Sequence, residues 1–254
     1  MKNFVISLNS AMARRHHIHT EFSQKNLAYE FFDAITPEQA RALIQQYYPD
    51  IDYSKISAGE LACLVSHLSV WLKALEQECD YVAIFEDDIF LADEASHYLS
   101  TDDWLPSNVH TLKIETFHEQ VLLKPGQQCS LGRQLFELKS PHFGAAGYII
   151  SKQAIRELLQ FILQQAVLKP LDHILFADFI ESNPCKTYQL VPALCIQEKV
   201  LHKEVLLEST LDLYRHDFRP LKEKKSFKQK LLREVLRIVH KIRLMLFARK
   251  VAFK

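Results

Sequence analysis

The sequence predicts an α/β protein with a mostly parallel central sheet flanked by helices. Short apolar runs without polar alternation, such as residues 4–8 and 81–85, are separated by segments of helical periodicity. Runs of this kind are typical of strands buried on both faces, as in parallel sheets. The chain has 254 residues and 48% hydrophobic content, which is enough for one large domain with its own core.

The first three elements predict a nucleotide-binding half. Residues 4–8 form a predicted strand, residues 10–26 look helical, and residues 29–32 form a second strand that ends at Asp33. Nucleotide-binding α/β halves begin in this way. There is no G-x-G-x-x-G or G-K-[ST] motif, and the chain has only five glycines. Phosphate charge would therefore have to be met by a metal ion or by Arg and Lys.

Two helices follow, over residues 37–47 and from Ser57 to about residue 79. Ser57 and Glu60 have the spacing of a capping box. His67 lies beside an apolar stripe, where a histidine is more often a satisfied core residue than a catalytic group. The stripe recurs at three- and four-residue spacing and predicts the buried face of this helix: Leu61, Leu64, Val65, Leu68, Trp71, Leu72 and Leu75.

The stretch Y-V-A-I-F-E-D-D at residues 81–88 is the strongest indication of a site. Three adjacent carboxylates at the end of a buried strand repel one another unless a cation neutralises them. On an extended backbone Glu86 and Asp88 face one side and Asp87 faces the other. Oxygen ligands of this kind suit Mg²⁺ or Mn²⁺. The alternative is an acidic turn that is merely solvated.

The second half of the chain continues the alternation of strands and helices. Residues 116–133 are polar, contain Pro125 and two glycines, and are predicted to form a loop or small hairpin near the site. Asp172 follows Pro170 and is a plausible N-cap of the helix that it precedes. The other predicted elements are a helix at 94–99, a strand at 109–114 ending at Glu115, a turn and strand within 141–151, helices at 152–164 and 172–181, and a strand at 188–191.

Cysteine usage and hydropathy predict a cytoplasmic protein. The five cysteines are odd in number, widely spaced and without zinc-finger spacing, so we expect reduced thiols. Residues 4–8 are too short an apolar run for a signal peptide. No stretch is expected to be long enough to span a bilayer.

The C-terminal segment 219–254 differs in charge from the rest of the chain. It contains 13 Lys and Arg against two Glu, a net charge of +11, so the first 218 residues carry −11. Its apolar residues from Leu232 to Leu246 predict a basic amphipathic helix that lies on an anionic membrane surface. The alternatives are docking on its own domain or on a second subunit. Nucleic acid is not expected, because the acidic remainder would oppose it.

Five stretches, in their order and spacing, resemble glycosyltransferase family 25, the lipopolysaccharide-biosynthesis type of sugar transferase. The resemblance covers about residues 4–197, and Ser7 and Asn9 stand where the family commonly has Asn and Asp. The stretches are F-V-I-S-L-N with Arg14 downstream, F-F-D-A-I at 31–35, G-E-L-A-C-L-V-S-H at 59–67, I-F-E-D-D at 84–88, and A-G-Y-I-I-S at 146–151 with P-L-D after it.

The resemblance implies a GT-A-like domain over residues 1–218 that binds a UDP-sugar donor through Mn²⁺ or Mg²⁺. It implies inverting transfer of a hexose, galactose or glucose, to a lipid-linked oligosaccharide acceptor of lipopolysaccharide or lipooligosaccharide. The tail would attach the enzyme to the anionic cytoplasmic face of the inner membrane. By the same resemblance, donor-binding residues are Ser7, Asn9, Arg14, Asp33, Ala34, Gly59, Ser66, His67, Glu86 and Asp87, and the metal ligands are Glu86, Asp87 and Asp88.

An inverting displacement also needs a general base within hydrogen-bond reach of the attacking hydroxyl. Asp172 is the first candidate because it lies in the matched P-L-D stretch, and Glu115 is the second. Two other functions stay open. A nucleotidyltransferase would be expected to have a Gly-rich first loop, which residues 8–15 lack. An inactive membrane-attached scaffold would have no need of three repelling carboxylates.

Overall fold

The computed structural model describes residues 1–182, 186–202, 207, 234 and 242–254. Its helices are α1 (Met12–Gln24), α2 (Pro37–Tyr47), α3 (Ala58–Glu76), α4 (Ala95–Leu99), α5 (Lys152–Leu163), α6 (Leu171–His173), α7 (Phe179–Ser182) and α8 (Glu198–Leu201). Its strands are β1 (Lys2–Ser7), β2 (Glu30–Asp33), β3 (Tyr81–Glu86), β4 (Ile89–Leu91), β5 (Thr111–Lys113), β6 (Glu115–Thr116), β7 (Gln120–Gln128), β8 (Gln134–Leu138), β9 (Gly147–Ser151), β10 (Thr187–Val191), β11 (Cys195–Gln197) and β12 (Ala248–Lys250).

The central sheet has nine strands in the order β12-β7-β8-β10-β5-β9-β3-β1-β2. The α/β class is confirmed, but the sheet is mixed rather than mostly parallel. Parallel pairing is confined to β2-β1-β3 and to β5 with β10, and the other pairs are antiparallel. The difference arises because β9 runs antiparallel between β3 and β5. Its apolar run is buried on both faces and cannot be distinguished from a parallel strand by pattern alone.

The three parallel strands β2-β1-β3 bring the first predicted site residues to one edge. Ser7 is in register with Asp33, and Ile6 is in register with Glu86. The carboxyl ends of these strands therefore open on the same side of the sheet, where ligands bind in open α/β sheets. A separate three-stranded sheet, β4-β11-β6, lies after β3 and carries Gln197 to the same edge.

Helix α3 forms the core of one face of the sheet. The predicted capping box is present: Ser57 Oγ accepts from the Glu60 N–H, and the Glu60 carboxylate accepts from the Ser57 N–H. Most of the predicted apolar stripe is buried, whereas Leu72 is 50% exposed. By length and composition α3 could cross a membrane, contrary to the expectation that no stretch is long enough, but most of its residues are buried within this fold. Its hydropathy is that of a core helix.

Residues 116–133 contain β7 and the turn of a hairpin formed by β7 and β8, so the second of the two predicted alternatives, a loop or a small hairpin, is confirmed. β7 is nine residues long, and only its first half is buried. Polar residues on the exposed half obscured the strand pattern. The prediction treated Pro125 as a loop residue, but Pro125 lies beyond the part of β7 that pairs with β12, so its missing N–H costs no hydrogen bond there.

The end of the chain belongs to the domain, which corrects part of the predicted helical tail. Residues 242–247 are helical, but β12 pairs antiparallel with β7, and Val251 is fully buried. Thr116 Oγ1 donates to the Val251 carbonyl at 2.8 Å, and Ala193 N–H donates to the Ala252 carbonyl at 2.7 Å. Uncovered backbone groups at the β7 edge favour such pairing. Residues 219–233 and 235–241 of the predicted helix lie outside the described residues.

Candidate active site

Two clefts meet at the carboxyl ends of β1 and β3. The wide cleft, of about 830 Å³, is bounded by the segments after β1 and β2, by the first turns of α3 and by the end of β3. The narrow cleft, of about 230 Å³, lies beyond Glu86, between residues 143–145, 170–172 and 197–199. Arg14, Cys63 and Glu86 border both clefts. A ligand that fills the wide cleft would therefore present one end to the narrow one.

The three carboxylates of E-D-D divide as their alternation predicts. Glu86 and Asp88 line the narrow cleft, whereas Asp87 lines the wide one. Asp87 accepts a hydrogen bond from Arg14 Nη1, and Arg14 Nη2 lies 3.5 Å from Asp88 Oδ2. The Arg14 guanidinium therefore pairs with two of the three carboxylates, Asp87 and Asp88. Among the described residues, no cation is in direct contact with Glu86.

Gln197 connects the other two carboxylates. Its Nε2 donates to Glu86 Oε2 at 3.0 Å and to Asp88 Oδ1 at 3.2 Å. Its Oε1 is buried and has no hydrogen-bond partner among the described residues. The neutral amide of Gln197 thus bonds both carboxylates, and its own oxygen stays unpaired. A neutral donor compensates the buried charge of Glu86 and Asp88 only in part.

Burial and the neighbouring negative charges raise the pKa values of Glu86 and Asp88. The pKa of Glu86 is raised to about 8, first by burial and then by the charges of Asp88 and Glu115. The pKa of Asp88 is also raised by burial, although Arg14 opposes that shift. Lys199 lines the narrow cleft, and its ammonium partly offsets both shifts. The site therefore lacks positive charge, and a divalent cation on Glu86 and Asp88 fits these oxygen ligands.

His67 lies in a buried network behind the wide cleft. Trp71 Nε1 donates to the Tyr148 hydroxyl at 2.9 Å, and that hydroxyl lies 2.8 Å from His67 Nδ1. Because an indole N–H can only donate, the hydroxyl proton is left for His67 Nδ1, which assigns the imidazole proton to Nε2. Burial lowers the pKa of His67 to about 3. His67 is therefore neutral, and its Nε2 has no partner among the described residues.

Asp172 lines the same narrow cleft as Glu86 and Asp88, and it is not an N-cap. The N-cap of α6 is Pro170, without a side-chain hydrogen bond. Asp172 Oδ2 accepts from the Gly144 N–H at 3.1 Å, and Oδ1 accepts from the His173 N–H at 2.9 Å. Two backbone donors orient the carboxylate, and it remains partly exposed to the cleft.

Glu115 occupies a different environment from Asp172. It is fully buried, and its Oε2 accepts from Lys113 Nζ at 3.0 Å and from the Ala146 N–H at 2.9 Å. Burial raises its pKa, with Lys113 opposing the shift. It is not among the residues that line either cleft, and its carboxylate contacts Lys113 and the Ala146 N–H.

The Gly144 N–H donates to the Asp172 carboxylate, and replacing Gly144 with alanine should destabilise the protein. Its φ is +90°, and an added Cβ would lie 2.0 Å from Phe117 Cε2. We expect Gly144→Ala to lower the free energy of unfolding by at least about 2 kcal/mol, measured by denaturant titration. The matched control is Gly132→Ala, at φ +73° with nothing within 4 Å, which should cost only about 1 kcal/mol. Equal effects of the two changes would contradict the clash with Phe117.

Comparison with known proteins identifies the family. The family model described as "Glycosyltransferase family 25 (LPS biosynthesis protein)" matches residues 1–175. The chain belongs to glycosyltransferase family 25. The matched part contains the E-D-D edge, the first turns of α3 and Asp172. The protein is therefore a glycosyltransferase, and the resemblance stated from its motifs is confirmed.

Several known proteins are similar to this chain over most of their length. The lipooligosaccharide biosynthesis protein lic2B of Haemophilus influenzae is 36% identical, over 91% of this chain and 89% of the relative. The lacto-N-neotetraose biosynthesis glycosyltransferase LgtE of Neisseria meningitidis serogroup B is 35% identical, over 84% and 81%. Among solved structures, a glycosyltransferase involved in the glycosylation of the major capsid of PBCV-1 is 8% identical, over 77% of this chain and 92% of that one. Its TM-score is 0.45, which is too low to add to the family assignment.

Most donor-binding residues implied by the family resemblance border the wide cleft. Eight of the ten line it. Ser66 has a positioning role there, because its Oγ accepts from the Ile35 N–H at 2.8 Å and donates to the Ala62 carbonyl at 2.7 Å. The eight are Ser7, Arg14, Ala34, Gly59, Ser66, His67, Glu86 and Asp87.

Asn9 and Asp33 are the two that the structure does not bring to the cleft. Asn9 is exposed and is not among the described residues that line it. The side chain of Asp33 is 68% exposed and is paired with Arg15, which also donates to the Ser7 and Leu8 carbonyls. The ion pair with Arg15 therefore holds the Asp33 side chain at the exposed end of β2. Their donor-binding roles stay predictions.

Sequence reasoning missed several residues of the site. Gln197 and Lys199 come from the small sheet and the helix after it, far along the chain from E-D-D, and carry no local motif. Phe117 and Phe143 flank the narrow cleft as isolated aromatic residues. Cys63 was quoted in G-E-L-A-C-L-V-S-H without a role, although its spacing of four residues from His67 places both on one face of α3.

The raised pKa of Glu86 predicts how the stability of the metal-free enzyme depends on pH. Between about pH 4.5 and about pH 8, the Glu86 carboxyl is protonated in the folded state and ionised in the unfolded state. Since the native state then binds more protons, stability should fall as pH rises through this window. Denaturant midpoints measured across it should show the slope in wild type and in Glu76→Gln, an exposed control, but a smaller slope in Glu86→Gln. A wild-type slope in Glu86→Gln would assign the effect elsewhere.

Proposed function

We propose that this glycosyltransferase transfers a hexose, galactose or glucose, from a UDP-sugar to a saccharide of lipooligosaccharide or lipopolysaccharide, with inversion and with a divalent cation. The observation that carries the proposal is the junction of the two clefts at Glu86, with Glu86, Asp88 and Asp172 all lining the narrow cleft. The relatives named for lipooligosaccharide and lacto-N-neotetraose biosynthesis support this class of acceptor.

The wide cleft suits the nucleotide part of the donor. Its volume of about 830 Å³ lies in the range of small-molecule sites. Apolar side chains after β1 and β2, among them Ile6, Leu8 and Ile35, provide a surface for the base and ribose. Arg14, at the inner end, is the cation among the described residues that line the cleft. The diphosphate would therefore lie near Arg14.

The charge of the site supports a requirement for a metal ion. Arg14 already pairs with Asp87, so it cannot neutralise a diphosphate and three carboxylates together. Glu86 and Asp88 would hold Mn²⁺ or Mg²⁺, which would neutralise the departing diphosphate as a Lewis acid. Because Gln197 already bonds both carboxylates, they are held close together before any cation binds.

Asp172 is the proposed general base. It would accept the proton of the acceptor hydroxyl as the hydroxyl oxygen bonds to the anomeric carbon of the donor. The bond from that carbon to the phosphate oxygen breaks, and its electron pair leaves with UDP. The N–H groups of Gly144 and His173 orient the carboxylate toward the narrow cleft, where the acceptor would bind. Glu115 is the weaker candidate because its carboxylate is fully buried in an ion pair with Lys113.

The first test is donor hydrolysis without acceptor. Wild type is incubated with a panel of nucleotide sugars, with and without Mn²⁺, and nucleotide release is measured. We expect Mn²⁺-dependent release of UDP from UDP-galactose or UDP-glucose and not from guanosine-linked sugars. Hydrolysis that is independent of metal would contradict the cation requirement. Absence of both turnover and metal-dependent nucleotide binding would favour the inactive scaffold.

We also propose that the C-terminal segment attaches the enzyme to the anionic cytoplasmic face of the inner membrane. Residues 242–247 support this, because Met245, Leu246 and Phe247 are 76%, 63% and 69% exposed in one helical turn. Arg249 and Lys250 follow directly. Exposed large apolar side chains beside basic ones are typical of segments that insert into the headgroup region of anionic bilayers.

Vesicle sedimentation tests this attachment. Removing residues 219–254 would also remove β12, so point changes are preferable. We expect Leu246→Ser with Phe247→Ser to weaken binding to phosphatidylglycerol vesicles by about tenfold or more. Leu163→Ser, a control at the exposed end of α5, should bind like wild type. Wild type that ignores anionic vesicles, or binds neutral phosphatidylcholine equally well, would contradict the proposal.

A further inference from the structure

A second group of possible metal ligands lies where the two clefts meet, beside the E-D-D carboxylates. Cys63, His67 and Glu86 each offer one ligand atom, and the three atoms lie within 4.8 Å of one another. Cys63 and His67 are four residues apart on α3, so they share one helix face, and Glu86 comes from the end of β3. Sulfur, imidazole nitrogen and carboxylate oxygen form a ligand set that Zn²⁺ accepts and that Mg²⁺ does not favour.

The distances in this group are close to those of a bound ion. Cys63 Sγ and Glu86 Oε1 are 3.9 Å apart. Ligand atoms around a tetrahedral zinc ion lie roughly 3.5 Å from one another, since each is about 2.0 to 2.3 Å from the metal. Small side-chain rotations would therefore complete the site. Cys63 and Glu86 border both clefts, so an ion could reach them through either cleft. The open side of the group would also leave the fourth coordination position to water.

The protein environment of His67 is that of a metal ligand. The residue is fully buried, and Nε2 has no hydrogen-bond partner among the described residues. In the metal-free protein the imidazole proton is on Nε2. Ligation at Nε2 would move this proton to Nδ1, which can donate it to the Tyr148 hydroxyl because a hydroxyl oxygen accepts hydrogen bonds as well as donating one. Metal-ligating histidines are usually oriented in this way by a second group. The depressed basicity of the ring keeps it neutral, as ligation requires.

We propose that Cys63, His67 and Glu86 form a binding site for one soft divalent cation of the Zn²⁺ class. Binding would release the thiol proton of Cys63. Because Glu86 would be a ligand in this site and also in the Glu86–Asp88 site for a hard cation, the two ions compete. Zinc would then inhibit transfer by displacing Mn²⁺, a consequence that rests on the proposed function.

Cobalt spectroscopy on the full chain tests the site without any sugar. After chelation, Co²⁺ should bind wild type with a thiolate-to-cobalt charge-transfer band in the near ultraviolet. Cys63→Ser should lose the band and bind Zn²⁺ about 100-fold more weakly by calorimetry. Cys79→Ser, a change at another partly exposed cysteine, and Asp88→Asn should keep both. A wild type without the band, or a band that survives in Cys63→Ser, would overturn the proposal.

Two further measurements keep the test independent of folding and of activity. In wild type, Zn²⁺ should protect Cys63 but not Cys79 from iodoacetamide, as mapped by mass spectrometry. Added Zn²⁺ should also release bound Mn²⁺, which is followed by the electron paramagnetic resonance of the free ion. Equal alkylation of Cys63 with and without zinc would overturn the site, and retention of Mn²⁺ beside bound zinc would overturn the competition. An enzyme without transfer activity would contradict the proposed function and leave these results intact.

Discussion

Replacing Asp172 with asparagine should lower kcat by about 10² to 10⁴ while leaving donor binding unchanged. The amide cannot take the proton of the acceptor hydroxyl. Its oxygen can still accept from the Gly144 or His173 N–H, so the position of the side chain should be retained. The readouts are the rate of sugar transfer to a lipooligosaccharide acceptor and the Kd of the UDP-sugar.

Two further variants serve as the control and as the test of the alternative base. Asp178→Asn removes a carboxylate from the same helical region, where it pairs with Lys169, and should transfer sugar like wild type. Glu115→Gln breaks a fully buried ion pair with Lys113, and we expect it to cost about 3 to 5 kcal/mol of stability. Full activity of Asp172→Asn would contradict its role. Loss of transfer in a stably folded Glu115→Gln, with Asp172→Asn active, would assign the base to Glu115.

Replacing Asp88 with asparagine should weaken Mn²⁺ binding and lower the transfer activity together. The change takes away one of the two carboxylates that face the narrow cleft, and the side-chain oxygen can still accept from Gln197. We expect Mn²⁺ affinity to fall at least about 100-fold and transfer to fall by a comparable factor at limiting metal. Calorimetry with Mn²⁺ and transfer rates over a range of Mn²⁺ concentrations measure the two effects.

The control for this change is Asp93→Asn. It makes the same chemical substitution at an exposed carboxylate that pairs with Lys25, and it should leave Mn²⁺ binding unchanged. Asp88→Asn with wild-type Mn²⁺ affinity would show that E-D-D does not bind the cation. Activity that persists in both variants without metal would point instead to Arg14 and Lys199 as the groups that neutralise the diphosphate.

Local features of the fold could be predicted from sequence. Helix α2 has the predicted bounds, and the capping box of Ser57 and Glu60 opens α3 one residue later. The end of β3 at Glu86 followed from an apolar run that stops at charged residues. Each of these depends on neighbouring residues, whose effects on propensity, capping and burial are visible in a short window.

Features that depend on distant pairing could not be predicted. The direction of β9 is set by its partners β3 and β5, and its apolar run is compatible with either orientation. β12 pairs with β7 across more than 100 residues of chain, so its three residues read as the end of a basic helix. β7 was hidden for a different reason, since its outer half is exposed and polar.

The same division applies to the candidate site. The separation of Asp87 from Asp88 followed from strand alternation, and the structure places Asp88 in the narrow cleft and Asp87 in the wide one, with Glu86 bordering both. The ion pair of Asp33 with Arg15 and the bridging role of Gln197 depend on side-chain positions that no motif encodes. An N-cap role for Asp172 was a local inference, and it is wrong because the helix begins at Leu171, directly after Pro170.

The most direct test of the account is transfer with the natural class of acceptor, followed by determination of the new linkage. Purified wild type is incubated with Mn²⁺, UDP-galactose or UDP-glucose, and a lipooligosaccharide acceptor, and the product is analysed by nuclear magnetic resonance. We expect a Mn²⁺-dependent product from one of these donors, with anomeric configuration opposite to that of the donor. A product with retained configuration, or transfer that is unaffected by chelation, would contradict it.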